Sequence, residues 1–306
     1  WMGEMPASDS FEIGGNGGKD AGSVHLYVFV HGYQGNMYDL RLMRNQMALL
    51  LPDKESTRFL MSSWNEEYTN SASFETLGAN LAKEVLTHLQ SELRVSLERN
   101  SVSRWLGRVT FICHSFGAII CRAALRQPDL KPLLPKLHAF VSFSGPHLGL
   151  LYSSNTLVEV GIWGLRRLKK ARCLTELVLK DAVEPTQSLL FKLSCDDKLR
   201  HFKHVLLVSS ADDRYVPHHS ARLTLCTEAM HDQRLGAVYV NMMHNLLNGL
   251  ECASLRRVEV AFDGEPSTTL AQHLDHAIGR KAHIDFIDNV SFLRRFVLTY
   301  LDVFVN

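Results

Sequence analysis

The sequence predicts an α/β fold built on a mostly parallel central sheet flanked by helices. Three observations carry that prediction. Short β-branched and aromatic runs alternate with helical patterns along the chain, the signature of parallel strands joined by helical crossovers. One junction, Arg108 to Leu125, leaves only Cys113-His114-Ser115-Phe116-Gly117 between a strand read at Val109–Ile112 and a helix read at Ala118–Leu125. At 306 residues and 46% hydrophobic, the chain can bury a sizeable core as one large domain, alone or with an inserted cap.

Taken in order, residues 1–23 read as a flexible leader, polar and interrupted by Gly14-Gly15-Asn16-Gly17-Gly18. Val24 to Val30 reads as a buried strand that runs into His31-Gly32. A helix near 37–51 and a strand near 57–62 follow. A long helix is expected from Ser73 to about Glu98, because Leu77, Leu81, Val85, Leu89, Leu93 and Leu97 form one apolar ridge. After the 108–125 junction, a strand at 137–143 ends in Ser144-Gly145-Pro146-His147. Segment 150–201 breaks the alternation: about fifty residues of helical character are longer than a normal crossover and read as a helical cap insertion. Within it, Leu157, Val160, Trp163 and Leu168 lie beside the basic run Arg166-Arg167, Lys169-Lys170. His204 to Ser210 is the next strand, and Val258 to Phe262 reads as the last. A polar loop carrying His283 then leads into a terminal helix at 290–305, with Phe292, Leu293, Phe296, Val297, Tyr300 and Leu301 as its apolar side.

The chemistry is concentrated at the 113–117 turn. So short a strand-to-helix connection lifts Ser115 to its apex as a nucleophile elbow, and the helix N-terminus beneath it offers N–H groups to a developing anion. The bland alternative is a serine that caps a buried helix. The rest of the chain favours the elbow by supplying an acid and a histidine in the order serine, acid, histidine. Asp213 stands just past the 204–210 strand, on the rim where the carboxyl ends of parallel strands gather ligands. Asp212 competes with it, and Asp213 is preferred for its Asp-x-x-Val-Pro spacing. His283 can accept the Ser115 proton, in competition with His273 and His276. Two oxyanion donors are expected: the N–H of Phe116, and one from Gly32 or Tyr33, between which the sequence does not choose. His31, His114, His147 and Trp163 are candidates to line the substrate pocket.

His31-Gly32-x-x-Gly35-x-x-x-Asp39-Leu40, Cys-His-Ser115-Phe-Gly, Ser144-Gly-Pro-His-Leu-Gly149, Asp213-Arg-Tyr-Val-Pro217 and Ala282-His283 together resemble the lipase-like serine esterase family of eukaryotes. The resemblance runs from about Val24 to the C-terminus. It implies an α/β-hydrolase fold and cleavage of acyl esters, with Ser115 matching the nucleophile, Asp213 the triad acid and His283 the base. One departure stands out: Cys113 occupies the first glycine position of Gly-x-Ser-x-Gly.

Composition narrows the alternatives. A net charge of +1 with well-mixed charges argues against a nucleic-acid partner. None of the six cysteines stands at Cys-x-x-Cys spacing, which suggests buried thiols in a reducing compartment and a cytoplasmic location, although a chain that opens with Trp1 reads as a piece of a longer protein with room for an upstream signal. The fifteen histidines include His218-His219 and His273-x-x-His276, but no third ligand stands at a matching spacing, so no metal or other cofactor is expected. The expected partner is an acyl ester or lipid substrate, with transient membrane-surface contact through the basic cap edge as the less favoured option. Acyl transfer, thioester cleavage and a catalytically weak interaction module remain the alternatives.

Overall fold

The computed structural model describes residues 23–98, 106–153, 172–196, 198–251, 253–262 and 281–305, with the side chains of 93–98 left out of the description. Six strands, β1 (Val24–Val30), β2 (Thr57–Met61), β3 (Leu106–His114), β4 (Leu137–Phe143), β5 (His204–Ser209) and β6 (Ser254–Glu259), form one sheet in the order β2-β1-β3-β4-β5-β6. Every neighbouring pair is parallel. Such a sheet must be covered on both faces, which is why its central strands are apolar almost without interruption.

Strand alternation divides the core in two. Leu26, Val28, Val30, Val109, Phe111, Cys113, Val205 and Leu207 face one side, under α2 (Phe74–Glu98), α3 (Gly117–Leu125) and α4 (Gly236–Gly249). Tyr27, Phe29, Ile112, Leu206 and Val208 face the other, under α1 (Arg41–Leu50), the helical residues 281–288 and helix Val290–Thr299. In α2, Leu77, Leu81 and Val85 are fully buried and Leu89 packs at the margin, so the expected ridge is present over its described part.

Several expectations are corrected. The last strand begins at Ser254, not Val258, and ends at Glu259. Arg256 and Arg257 disguise it, because an edge strand tolerates charges that break a hydrophobic pattern. His283 lies within a helix, not on a loop: Ala282, Phe286 and Ile287 bury one face over little more than two turns, too short for periodicity to announce. The terminal helix breaks at Tyr300 into Val290–Thr299 and Leu301–Val305. The last turn is held under the sheet, where Tyr27 Oη donates to the Phe304 carbonyl (2.7 Å), His138 Nε2 to Val303 (2.8 Å) and Arg108 Nη1 to Val305 (2.6 Å). Helix Gly236–Gly249 corresponds to no element read from the sequence.

Within segment 150–201, expected as a cap insertion, the described elements are short helices, Arg172–Leu177 and Leu189–Cys195, and two single 3₁₀ turns. Its proposed apolar wall and basic run at 156–170, Trp163 included, lie outside the described residues, as do residues 1–22 and the competing His273 and His276. Among the described residues, no helix is long and apolar enough to cross a membrane.

Candidate active site

The strand order changes direction between β1 and β3: the chain steps outward from β1 to β2, then crosses back to build β3 on the other side. In an open α/β sheet this switch point opens a crevice at the carboxyl ends of the strands. His31-Gly32 leaves β1 there, and Ser115 leaves β3 beside it.

Ser115 has φ +53°, a left-handed conformation that costs a non-glycine residue about 1–3 kcal/mol. The turn is held by the Ser115 N–H, which donates to the Phe143 carbonyl at 2.8 Å, and by close passage over β1. A Cβ at Gly117 would stand 2.2 Å from the Val30 carbonyl oxygen, so only glycine lets α3 start where it does. Gly32 is equally cramped: a Cβ there would lie 3.0 Å from Ser115 Cβ and 3.3 Å from the His114 carbonyl oxygen. Cys113 is fully buried in the α3-side core and its side chain is accommodated where the usual pattern has glycine.

Phe116 stands at the N-terminus of α3, its ring 5.2 Å from that of Tyr33 and 5.6 Å from that of Phe74. Among the described residues, the N–H groups of Gly32, Tyr33 and Phe116 donate to no protein acceptor. The neighbouring donors are spoken for, with Gln34 N–H on Thr69 Oγ1 (2.9 Å) and Gly35 N–H on the Gly32 carbonyl (3.2 Å).

Asp213 follows β5 on a tight turn and is 6% exposed. Its carboxylate collects donors on both oxygens. His283 Nδ1 and Ser144 Oγ donate to Oδ2, the former at 2.7 Å, while the N–H groups of Tyr215 (2.7 Å) and Val216 (3.2 Å) donate to Oδ1. Burial works against the charged carboxylate, but the His283 charge and hydrogen bond, with Ser144 and Tyr215, outweigh it and hold Asp213 below the usual carboxylate range. With Nδ1 committed to Asp213, the free lone pair of a neutral His283 is on Nε2. Asp212 is exposed, with its N–H on Ser210 Oγ at 3.2 Å.

His114, the residue before Ser115, ties this pair to the elbow. Its Nε2 donates to the His283 backbone carbonyl at 3.0 Å, and the two rings are 4.8 Å apart. Burial, then the nearby His283 charge, push its imidazole down to about 3, so His114 is neutral. Tyr215 stacks on the His283 ring at 5.3 Å.

The other candidates land differently. His31 is buried with Nδ1 against its neighbour's carbonyl (Gly32 O, 3.0 Å), and among the described residues Nε2 has no hydrogen-bond partner. His147 is 1% exposed and turned into the core, where it packs on Phe140 and shares a hydrogen bond with Ser142 Oγ (3.0 Å), while its carbonyl takes Arg122 Nη1 at 3.0 Å. His218 lies 3.6 Å from Glu259, and His219 Nδ1 meets Tyr239 Oη at 2.6 Å. Sequence reasoning missed Ser144 and Tyr215 as neighbours of the Asp213–His283 pair. A polar residue closing the strand between those of Ser115 and Asp213 was the available signal for Ser144.

The family model described as "Putative serine esterase (DUF676)" matches residues 21–228, more than half of the chain, with Ser115 and Asp213 inside the match. The chain belongs to this family. The family is one of serine esterases, and the all-parallel sheet covered by helices on both faces is that of an α/β-hydrolase fold. Similar solved structures include the product of gene lin2722 from Listeria innocua (13% identity, TM-score 0.49, covering 90% of this chain and 92% of that one). Acylaminoacyl peptidase from Pyrococcus horikoshii is similar at 16% identity and TM-score 0.45, over 91% of this chain and 37% of that one. Phospholipase PlaB from Legionella pneumophila is similar at 16% identity and TM-score 0.38, over 61% of this chain. This chain spans 38% of the length of the Legionella protein.

Proposed function

We propose that the chain hydrolyses acyl esters through Ser115, His283 and Asp213. The observation that carries this reading is the strained Ser115 turn set beside a buried carboxylate–imidazole pair, with His114 bridging the two. In the first half-reaction Ser115 Oγ bonds to the acyl carbon while its proton passes to His283 Nε2. Asp213 holds the tautomer that leaves Nε2 free and stabilises the imidazolium that forms. The oxyanion is received by the N–H of Phe116 and by one from the Gly32–Tyr33 loop, donors that would otherwise be idle. The imidazolium then protonates the departing alkoxide as the ester C–O bond breaks, leaving an acyl-enzyme. Water, losing a proton to His283, attacks the acyl carbon, and Ser115 recovers its proton as the acid leaves.

The substrate class is a simple carboxylic ester or lipid ester, and each methylene of the acyl chain that enters an apolar site adds up to about 0.8 kcal/mol. Ser115→Ala should remove hydrolysis of a short p-nitrophenyl ester by several orders of magnitude, and a fluorophosphonate should label the wild type at Ser115 only. Activity surviving in Ser115→Ala, or failure of the wild type to label, would return the chain to the interaction-module reading.

A further inference from the structure

The dipeptide Phe143-Ser144, at the end of the strand between those of the nucleophile and the acid, touches both. The Phe143 carbonyl receives the Ser115 N–H at 2.8 Å, and the Ser144 N–H donates to the Val208 carbonyl at 2.8 Å. The Ser144 hydroxyl, 1% exposed as a residue, donates to Asp213 Oδ2, the same oxygen that receives His283 Nδ1. To aim there, Ser144 adopts φ +49°, so two adjacent strands end in left-handed serines, Ser115 and Ser144. Two strained non-glycine residues at neighbouring strand ends are a recurrent cost of functional sites, and glycine would avoid it. Retention of a side chain at 144 therefore needs a reason, and its only described hydrogen bond is the one to Asp213.

We infer that Ser144 is a positioning residue for hydrolysis: its hydroxyl holds the Asp213 carboxylate against His283 and takes up part of the carboxylate charge. This rests on the reading of Ser115, His283 and Asp213 given above. The Ser144 hydroxyl is one of the donors that let Asp213 stay ionised out of water; without it Oδ2 keeps only the imidazole. Charged or titratable groups facing Asp213 are His283 from helix 281–288, His114 from the end of β3 and His218 from helix His218–Arg222. None of them can replace a neutral hydroxyl donor at Oδ2. A carboxylate stripped of one donor binds the imidazolium more tightly and is itself more easily protonated. Both effects move the acidic limb of activity to higher pH.

Two variants separate the hydroxyl from the backbone. Ser144→Ala removes the hydroxyl and keeps a Cβ at φ +49°, while Ser144→Gly removes it and relieves that conformation. The measurement is the rate of fluorophosphonate attachment to Ser115 and kcat/KM for a short p-nitrophenyl ester, each from pH 5 to 9, with Tm recorded for every protein. Both variants should lose about ten- to a hundredfold in kcat with KM little changed. Both should shift the acidic limb upward by several tenths of a pH unit or more, and Ser144→Gly should keep a Tm at or above that of Ser144→Ala. If the wild type labels but the folded Ser144→Gly variant matches it in rate and pH profile, the inference is wrong while the catalytic reading stands. Loss of rate without movement of the limb overturns the charge-sharing role and leaves Ser144 as packing. If the wild type does not label, both fall.

Discussion

Replacing Asp213 with asparagine tests the candidate site most directly, because the structure states what an amide would meet. Oδ1 takes two backbone N–H donors, from Tyr215 and Val216, so the amide oxygen has every reason to remain there. The NH₂ group then replaces Oδ2 and confronts His283 Nδ1 and the Ser144 hydroxyl. Ser144 can rotate to accept. His283 can satisfy the NH₂ only by giving up its Nδ1 proton, which places the remaining proton on Nε2 and removes the lone pair that should accept from Ser115. The expected loss in kcat is on the order of 10³–10⁴, or about 4–5.5 kcal/mol of transition-state stabilisation. Folding should change little, because the fold sheds a buried charge as it loses a charged hydrogen bond. Asp212→Asn is the matched control: that side chain is exposed, and its replacement should stay within a few-fold of wild type. The assay is kcat and KM for a short ester beside Tm for the three proteins. A folded Asp213→Asn variant within tenfold of wild type, or equal losses at 212 and 213, would refute the assignment of the acid.

Gly32→Ala should lower kcat by about 10²–10³, the usual loss for one oxyanion donor, because the new Cβ would sit 3.0 Å from Ser115 Cβ and push the loop away; steady-state kinetics that show a change in KM alone would contradict this. Gly117→Ala places a methyl 2.2 Å from the Val30 carbonyl oxygen and should cost about 1–3 kcal/mol in urea unfolding, with activity falling as the elbow shifts. The protein should also be acid-labile. Burial above all, aided by neighbouring positive charge, holds His138 down to about 4, His114 to about 3 and His25 to about 2, against 6.5 when unfolded. The folded state therefore binds fewer protons, so stability is full above about pH 6.5 and falls as pH drops toward those values, by up to about 1.4 kcal/mol per pH unit for each histidine. Urea midpoints measured from pH 7.5 to 4.5 should fall steadily, and a flat series would show that these rings are not held neutral.

The legible part of this protein was local. Apolar runs alternating with helical patterns announce a parallel sheet, because a strand covered on both faces has no polar side to show. The Cys113–Gly117 turn is readable because so few residues between a strand and a helix allow one geometry. The Asp-x-x-Val-Pro spacing and the chain order of Ser115, Asp213 and His283 are read as motifs along the sequence, and the family match over 21–228 agrees with the reading of the chain as a serine esterase. The order β2-β1-β3-β4-β5-β6, which opens the crevice beside β1 and β3, was decided only by tertiary structure, since it depends on which side each crossover returns. The same holds for β6, whose arginines hide it, and for His283, whose short helix has too few turns to reveal a period. From its place beside Ser115, His114 reads either as packing or as a pocket residue, and only the fold shows its ring turned to the His283 backbone, 169 residues away in sequence. Ser144 and Asp213 are 69 residues apart, and only the adjacency of β4 and β5 brings hydroxyl and carboxylate together. A hydrogen bond across strands leaves no periodicity or spacing in either segment, so the Ser115 turn was written in the sequence, while the contacts that Ser144 and His114 make to Asp213 and His283 were set by the sheet.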